Sequence, residues 1–214
     1  MRRCVVHLVY ILDTVRLVRS VGVDIGGASV RAARLSPGNR LEARASAPVG
    51  SGMSSERLLA EIIAVTTRVL VPGRPSERRI GVAIPAFLGQ DRRVHYSLNL
   101  PGLEGIKLED ELTRALGGPS VTVMPDIAAA ALAEAGAGAG SGHRRVLCAA
   151  LGTGANAALI VDGKLVETAH GALGDAGHVL TEPGGPECVC GGRGCLEAIA
   201  GGAALRREAC PRAG

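Results

Sequence analysis

Apolar and polar positions alternate along the chain from Val21, where the sequence reads V-G-V-D-I-G-G-A-S-V-R-A-A-R-L. This period of two predicts a pair of strands, and the glycines at 26 and 27 predict the turn that joins them. After Ser54 the spacing changes, and apolar residues recur at helical intervals as far as Leu70. A helix with a hydroxyl cap is therefore expected here, ended by proline and glycine at 72, 73 and 75.

Strands and helices continue to alternate through the rest of the chain. The predicted elements are a buried strand at 79–85, a loop at 99–102, a helix from residue 108, a strand at 121–123, an alanine-rich helix at 125–134, a strand at 146–151 and a strand at 160–166 that passes through an Asp-Gly turn. A second glycine turn, G-T-G, occupies 152–154. Both halves of the chain thus offer strand, turn and strand with glycine at the tip.

Composition limits the classes of protein that this pattern can represent. The chain has 214 residues, of which 47% are apolar and 21% charged, which is typical of a globular protein with one large or two small domains. Aromatic residues make up only 1%, so the core must consist of Ala, Val, Leu and Ile. The net charge of +4 is dispersed, and without interleaved aromatic residues we expect no nucleic-acid partner.

The first twenty residues carry two arginines and a short apolar run, a combination that superficially suggests a signal peptide. His7 interrupts the run, Asp13 and Arg16 follow it, and no small-residue cleavage site precedes the first strand. Residues 1–20 are therefore interpreted as an N-terminal extension, either an extra helix or strand or the product of a start codon assigned too early. No apolar stretch approaches membrane length, so no membrane partner is expected.

One histidine and three cysteines lie within eighteen residues, at His178, Cys188, Cys190 and Cys195. Structural zinc takes four nitrogen or sulfur ligands in a tetrahedron, and this ligand count agrees. The intervening glycines and prolines favour a short loop that folds its donors onto one ion. A loop with incidental cysteines is the alternative, and Cys210 could compete for a position. The six cysteines could form three disulfides, but a dense cluster of potential metal ligands with the other cysteines scattered is more typical of a reducing compartment. We therefore expect a cytoplasmic protein.

Two further features have the chemistry of a binding site. At the first turn, glycine amides can approach an anion, while Ser29 adds a hydroxyl and Asp24 could hold a metal-bound water; a hairpin without a ligand is the alternative. Asp126 begins a helix directly after a strand, where the helix dipole stabilises its anion, so it should stay charged at neutral pH. It is well placed to accept a proton from a substrate hydroxyl, although it could be a first-turn helix residue only.

These residues carry a resemblance to a known family. D-I-G-G at 24–27, L-G-T-G at 151–154, G-D-A-G-H at 174–178 and C-V-C-G-G-R-G-C-L-E at 188–197 resemble the ROK family of bacterial sugar kinases and repressors. The resemblance implies an α/β fold of the actin-like, hexokinase type, which is ribonuclease H-like, with two domains and with sugar and ATP in the cleft between them. It places an N-terminal domain at 21–119 and a C-terminal domain with the zinc loop at 120–214, the second domain being incomplete because the family continues beyond this point.

The resemblance also implies roles for individual residues. Asp126 resembles the catalytic base. The sugar contacts implied are Asn99, Asp126, Asp175, His178 and Glu197. The phosphate loops implied are Asp24, Gly26, Gly27 and Ser29 in the first half and Gly152, Thr153 and Gly154 in the second. His178, Cys188, Cys190 and Cys195 would hold a structural Zn²⁺, and Mg²⁺ would accompany ATP.

The implied activity is an ATP-dependent hexose kinase that phosphorylates a 6-hydroxyl, with glucose as the leading substrate. The alternatives are a kinase of N-acetylmannosamine, N-acetylglucosamine or fructose, and a shortened, inactive protein that binds zinc and sugar. A repressor is disfavoured because only twenty residues precede Val21. The chain differs from the family pattern at five positions, Ala28, Ala86, Pro125, Asn156 and Asp175. A homodimer is compatible with the resemblance.

Overall fold

A computed structural model describes residues 20–36, 40–71, 79–167 and 176–209. The strands are β1 (Ser20–Ile25), β2 (Ser29–Leu35), β3 (Leu41–Pro48), β4 (Arg79–Ile84), β5 (Phe87–Leu88), β6 (Val94–Tyr96), β7 (Ser120–Pro125), β8 (Arg145–Leu151), β9 (Ala155–Val161) and β10 (Lys164–Leu165). The helices are α1 (Ser55–Val69), α2 (Leu108–Ala115), α3 (Asp126–Ala137), α4 (Leu196–Ala200) and α5 (Gly202–Ala209), with short 3-10 turns at Pro101–Leu103 and Ala176–His178.

The larger sheet has five strands in the order β3-β2-β1-β4-β7. Strands β1, β2 and β3 form an antiparallel meander, whereas β4 pairs parallel to β1 and β7 pairs parallel to β4. Each parallel connection passes through a helix, as the geometry of parallel pairing requires. The carboxyl ends of β1, β4 and β7 consequently meet at one edge of the sheet, which is where α/β sheets bind their ligands.

The core of this half is aliphatic, as the low aromatic content predicted. Helix α1 buries Leu58, Ile62, Val65 and Val69 against the sheet in one continuous cluster. The Ser54 hydroxyl accepts a hydrogen bond from the Arg57 amide at 3.4 Å, so the predicted cap is present. Burial of the aliphatic stripe, worth about 1.5–3 kcal/mol for each large side chain, holds the helix in place.

The second half contains a smaller antiparallel sheet in the order β10-β9-β8. Helix α3 covers one face, and Ile127 and Ala131 pack there against Ala158 and Ile160. The opposite face is more open, since Leu147 and Leu151 of β8 are 69% and 70% exposed. None of the described helices is long and apolar enough to cross a membrane.

Three observations differ from the sequence interpretation or extend it. Strand β7, assigned above to the start of the second domain, is hydrogen-bonded into the first sheet, which therefore extends to Pro125. The sequence interpretation did not include β3, although its residues alternate apolar with polar and its alanines at 43, 45 and 47 face the core, nor the short β5–β6 hairpin. Residues 1–19 lie outside the described residues, and the domain boundaries remain predictions.

Candidate active site and metal centre

Two aspartates lie at the edge of the larger sheet where its parallel strands end. Asp24 in β1 is in register with Ala83 in β4, which is in register with Met124 in β7. Asp126 follows two residues later, at the first position of α3. The sheet register therefore brings together two carboxylates that are a hundred residues apart in the sequence.

The surroundings of both carboxylates disfavour the charged form. The pKa of Asp126 is raised, chiefly because nearby protein atoms remove part of its hydration and secondarily because Asp24 lies close, while the Ile127 amide, which donates to Asp126 Oδ1 at 2.7 Å, opposes the rise. Burial also raises the pKa of Asp24, and Arg31 at 3.6 Å moderates the effect. For Asp126 this direction is opposite to the one expected from the helix dipole alone, because desolvation outweighs the dipole.

The first glycine turn is in contact with the loop that carries Asn99. A Cβ atom added to Gly27 would lie 3.0 Å from the Asn99 Cβ and 3.3 Å from its Cγ. Ser97, which is buried, fixes this loop by donating to the Pro85 carbonyl at 2.9 Å and accepting from the Leu100 amide at 3.2 Å. Glycine at 27 thus permits the close approach of an amide side chain that is itself exposed.

The second glycine turn joins β8 to β9 and is packed against the start of α5. The Gly202 amide donates to the Gly152 carbonyl at 2.8 Å, and the Ala203 amide donates to the Thr153 carbonyl at 3.3 Å. The Glu197 carboxylate Oε2 accepts from the Ala155 amide at 2.9 Å. One carboxylate oxygen of Glu197, which the resemblance implies to be a sugar contact, therefore accepts a backbone hydrogen bond beside this turn.

The four cluster residues meet at one point. Their ligand atoms all lie within 4.8 Å of one another, with Cys188 Sγ 3.5 Å from His178 Nδ1 and Cys190 Sγ 3.7 Å from Cys195 Sγ. Zinc bonds of about 2.3 Å to sulfur and about 2.0–2.1 Å to nitrogen imply tetrahedral edges of about 3.8 Å between sulfurs and about 3.6 Å from sulfur to nitrogen. The contacts of 3.5 and 3.7 Å match these edges, and the four nitrogen and sulfur donors form a set that suits a zinc ion.

The segment from His178 to Cys195, called the metal loop below because it carries the four candidate ligands, is held by backbone hydrogen bonds. The Gly194 carbonyl accepts from the Thr181 and Glu182 amides at 2.9 and 3.0 Å, and the Gly194 amide donates to the Pro186 carbonyl at 2.8 Å. Desolvation, reinforced by the neighbouring thiols, raises the pKa of Cys195 to about 12. A hydrogen bond from the Gly192 backbone instead lowers the pKa of Cys190. A metal ion bound by these thiols would therefore have to displace protons from the cluster.

Most of the site residues implied by the resemblance fall into two groups. One group gathers Asp24, Gly27, Asn99 and Asp126 around the sheet edge, and the other joins His178, the three cysteines and Glu197 to the turn at 152–154. The Ser29 carbonyl accepts from the Gly26 amide at 2.9 Å and closes the first turn. Asp175 and Cys210 lie outside the described residues.

Sequence reasoning missed several residues that support this arrangement. Arg31 pairs with Asp24 directly across the β1–β2 hairpin, and the predicted strand pairing could have identified it. The glycine doublet at 201 and 202 allows the backbone to approach the second turn closely, and the doublet itself was an available signal. Ser97 carried no distinguishing pattern.

Comparison with known proteins extends these observations. A sequence profile of the ROK family matches residues 20–212. The chain is 30% identical over 191 residues to the glucokinase of Thermotoga maritima, covering 89% of this chain and 59% of that protein. It is 34% identical over 190 residues to the kanosamine kinase of Amycolatopsis mediterranei, covering 88% of this chain and 61% of that protein.

A solved structure also matches. The ROK family glucokinase from Streptomyces griseus, in complex with glucose and AMPPNP, has a TM-score of 0.69 at 28% identity, covering 90% of this chain and 62% of that chain. The predicted α/β fold of the actin-like, hexokinase type is thereby confirmed for the part of the fold that is present. The chain spans about 60% of the length of the relatives that it matches.

Proposed function

The chain belongs to the ROK family, and from this premise we propose that it is an ATP-dependent sugar kinase acting on the 6-hydroxyl of a hexose, with glucose as the leading substrate. Glucose is favoured by the glucokinase of T. maritima and by the glucose-bound structure of the S. griseus enzyme. The kanosamine kinase supports an amino sugar as a competing substrate.

The observation that carries the proposal is the pair of carboxylates at the edge of the larger sheet. A general base works best when its pKa approaches the working pH, and burial together with Asp24 moves the pKa of Asp126 in that direction. The exposed amide of Asn99, held against Gly27, supplies a hydrogen-bonding group for a sugar hydroxyl on the same side. An acid, an amide and a glycine turn are thus gathered where parallel strands end.

The proposed reaction is an in-line phosphoryl transfer. The sugar 6-oxygen attacks the γ-phosphorus of Mg-ATP, Asp126 takes the hydroxyl proton, and the bond from phosphorus to the bridging oxygen breaks to release ADP. Asp24 would hold a water of the nucleotide-bound Mg²⁺ near the phosphates. The glycine turns would contribute backbone amides, because positioning and charge stabilisation supply most of the rate in this chemistry.

A structural zinc ion is the second part of the proposal. Cys188, Cys190 and Cys195 would bind it through sulfur and His178 through Nδ1, the ring nitrogen that lies 3.5 Å from the Cys188 sulfur. The Nε2 atom of His178 would then donate to a sugar hydroxyl with its orientation fixed by the metal bond. Zinc would take no chemical step, and its removal should weaken sugar binding.

A coupled assay of ADP release with glucose, kanosamine, N-acetylmannosamine and fructose tests the activity. Turnover with one of these sugars is expected, and Asp126→Asn should abolish it while the zinc content measured by mass spectrometry stays unchanged. Absence of ADP release with every hexose would refute the kinase proposal. Full activity of Asp126→Asn would remove Asp126 from its role.

The second candidate is a protein that binds zinc and sugar without transferring phosphate. Pro125 favours it, because this residue precedes the proposed base and offers no side-chain amide for a sugar hydroxyl. Calorimetric binding of glucose by a zinc-loaded protein that releases no ADP would support this candidate. A measurable turnover number would exclude it.

A further inference from the structure

The metal loop and the second glycine turn form one hydrogen-bonded unit. Cys195, at the N-terminal cap of α4, precedes Glu197 by two residues, so a ligand of the cluster fixes the start of the helix that carries this carboxylate. Glu197 Oε2 accepts from the Ala155 amide at 2.9 Å. A Cβ atom at Gly154 would overlap the same oxygen, so the carboxylate lies directly against the turn.

The other end of the metal loop reaches the same turn. Gly177, next to the ligand His178, is so close to the Ala155 carbonyl that a Cβ atom there would overlap it. The same added Cβ would lie 3.3 Å from the Glu197 Cβ. The N-terminal end of the loop therefore contacts Ala155 through its backbone, and the segment after its C-terminal end contacts it through the Glu197 side chain.

These contacts determine which polar groups the turn can offer to a ligand. The carbonyls of Gly152, Thr153 and Gly154 accept from the amides of Gly202, Ala203 and Gly152 respectively, at 2.8, 3.3 and 2.9 Å. Within the described residues, the amides of Thr153 and Gly154 donate to no backbone carbonyl. A turn whose carbonyls are occupied while successive amides remain available is suited to bind an anion.

We propose that Glu197 is a positioning residue through which the metal loop holds the 152–154 turn in its phosphate-binding conformation. Metal occupancy then sets the affinity for the nucleotide phosphates as well as the orientation of His178. The identity of the anion rests on the proposed kinase function, whereas the coupling of loop and turn does not.

Hydrogen exchange on the full 214-residue protein tests the coupling without any substrate. Because a hydrogen bond to a charged group is worth about 1.5–3 kcal/mol, Glu197→Ala should speed exchange of the Ala155 amide by at least about tenfold, and chelation of the metal should have a similar effect. Glu197→Gln keeps an acceptor oxygen and should restore most of the protection. Glu187→Ala is the matched control, since Glu187 lies in the same loop but pairs with Arg193.

Unchanged Ala155 exchange after chelation would overturn the proposal, as would equal acceleration in the Glu187 and Glu197 variants. Calorimetry with Mg-AMPPNP then tests the consequence, a dissociation constant at least about fivefold weaker in Glu197→Ala and restored in Glu197→Gln. If the unaltered protein binds no AMPPNP while the exchange results hold, the kinase proposal fails and the coupling stands. Binding of AMPPNP with equal affinity by all variants would refute the positioning role alone.

Discussion

Replacement of Gly194 by alanine should disrupt the proposed zinc site although this residue is not one of the proposed ligands. Gly194 has a φ of +74°, and an added Cβ would overlap the Glu182 carbonyl oxygen. Because that oxygen belongs to the backbone, it cannot rotate away as the end of a side chain would. The loop segment at 181–182 must move, and Cys195 is the residue directly after the substitution.

Two contributions determine how much zinc-binding free energy Gly194→Ala should lose. A left-handed backbone costs a residue with a side chain about 1–2 kcal/mol. Moving the 181–182 segment also breaks three backbone hydrogen bonds, from the Thr181 and Glu182 amides to the Gly194 carbonyl and from the Gly185 amide to the Glu182 carbonyl, at about 1 kcal/mol each. The sum of about 4–5 kcal/mol corresponds to a zinc dissociation constant roughly 1,000-fold weaker or more. Structural zinc sites bind with about 10–16 kcal/mol, so the weakened site stays measurable.

Gly191→Ala is the matched control, because Gly191 lies in the same loop with a φ of +87° and has open space where its Cβ would be. Only the conformational cost of about 1–2 kcal/mol applies there, which predicts a loss of roughly 5- to 30-fold. Competition titration of zinc against a chromophoric chelator measures both variants. Equal losses in the two variants would refute the steric argument, and unchanged affinity in Gly194→Ala would refute the loop geometry itself.

Further predictions concern the sheet edge. Asp126→Asn should raise the thermal midpoint at neutral pH while removing turnover. Because the pKa of Asp126 is raised in the folded protein, its negative charge destabilises the folded state at a pH above that pKa. The asparagine side chain removes this charge and keeps an oxygen that can accept the hydrogen bond from the Ile127 amide. A lower midpoint would contradict this. The acid limb of the pH profile of kcat/KM should lie at a higher pH than an ordinary aspartate would give, because the pKa of Asp126 is raised. Asp24→Asn removes a like charge and should move this limb to lower pH. A limb that stays in place would exclude the electrostatic coupling between Asp24 and Asp126. Gly27→Ala should raise the KM for the sugar by displacing Asn99. Gly26→Ala is the control and should change this KM little, because its Cβ would lie at an ordinary distance of 3.4 Å from the Ser29 carbonyl oxygen. Equal effects of the two variants on KM would contradict the role of the contact between Gly27 and Asn99.

The predictions that depend on local pattern agree best with the structure. Helix α1 begins after the Ser54 cap and buries one aliphatic stripe, because propensity, cap and periodicity all act within a few residues. The same reason accounts for the β1–β2 hairpin and for Asp126 at the start of α3. Strand β3 also alternates apolar with polar residues, but three of its four apolar residues are alanines, which have a low strand propensity, and its place is set by pairing with β2.

The amino-acid sequence alone specifies which chemical groups are available, namely four potential metal ligands at metal-binding spacing, two glycine turns and an acid after a strand. Their spacing is local, so it can be read without knowing the path of the chain. The raised pKa of Asp126 and the hydrogen bond that the Ala155 amide donates to Glu197 follow from the folded arrangement of distant segments. Desolvation and contacts across forty residues or more depend on how distant segments pack, and no local pattern contains that information.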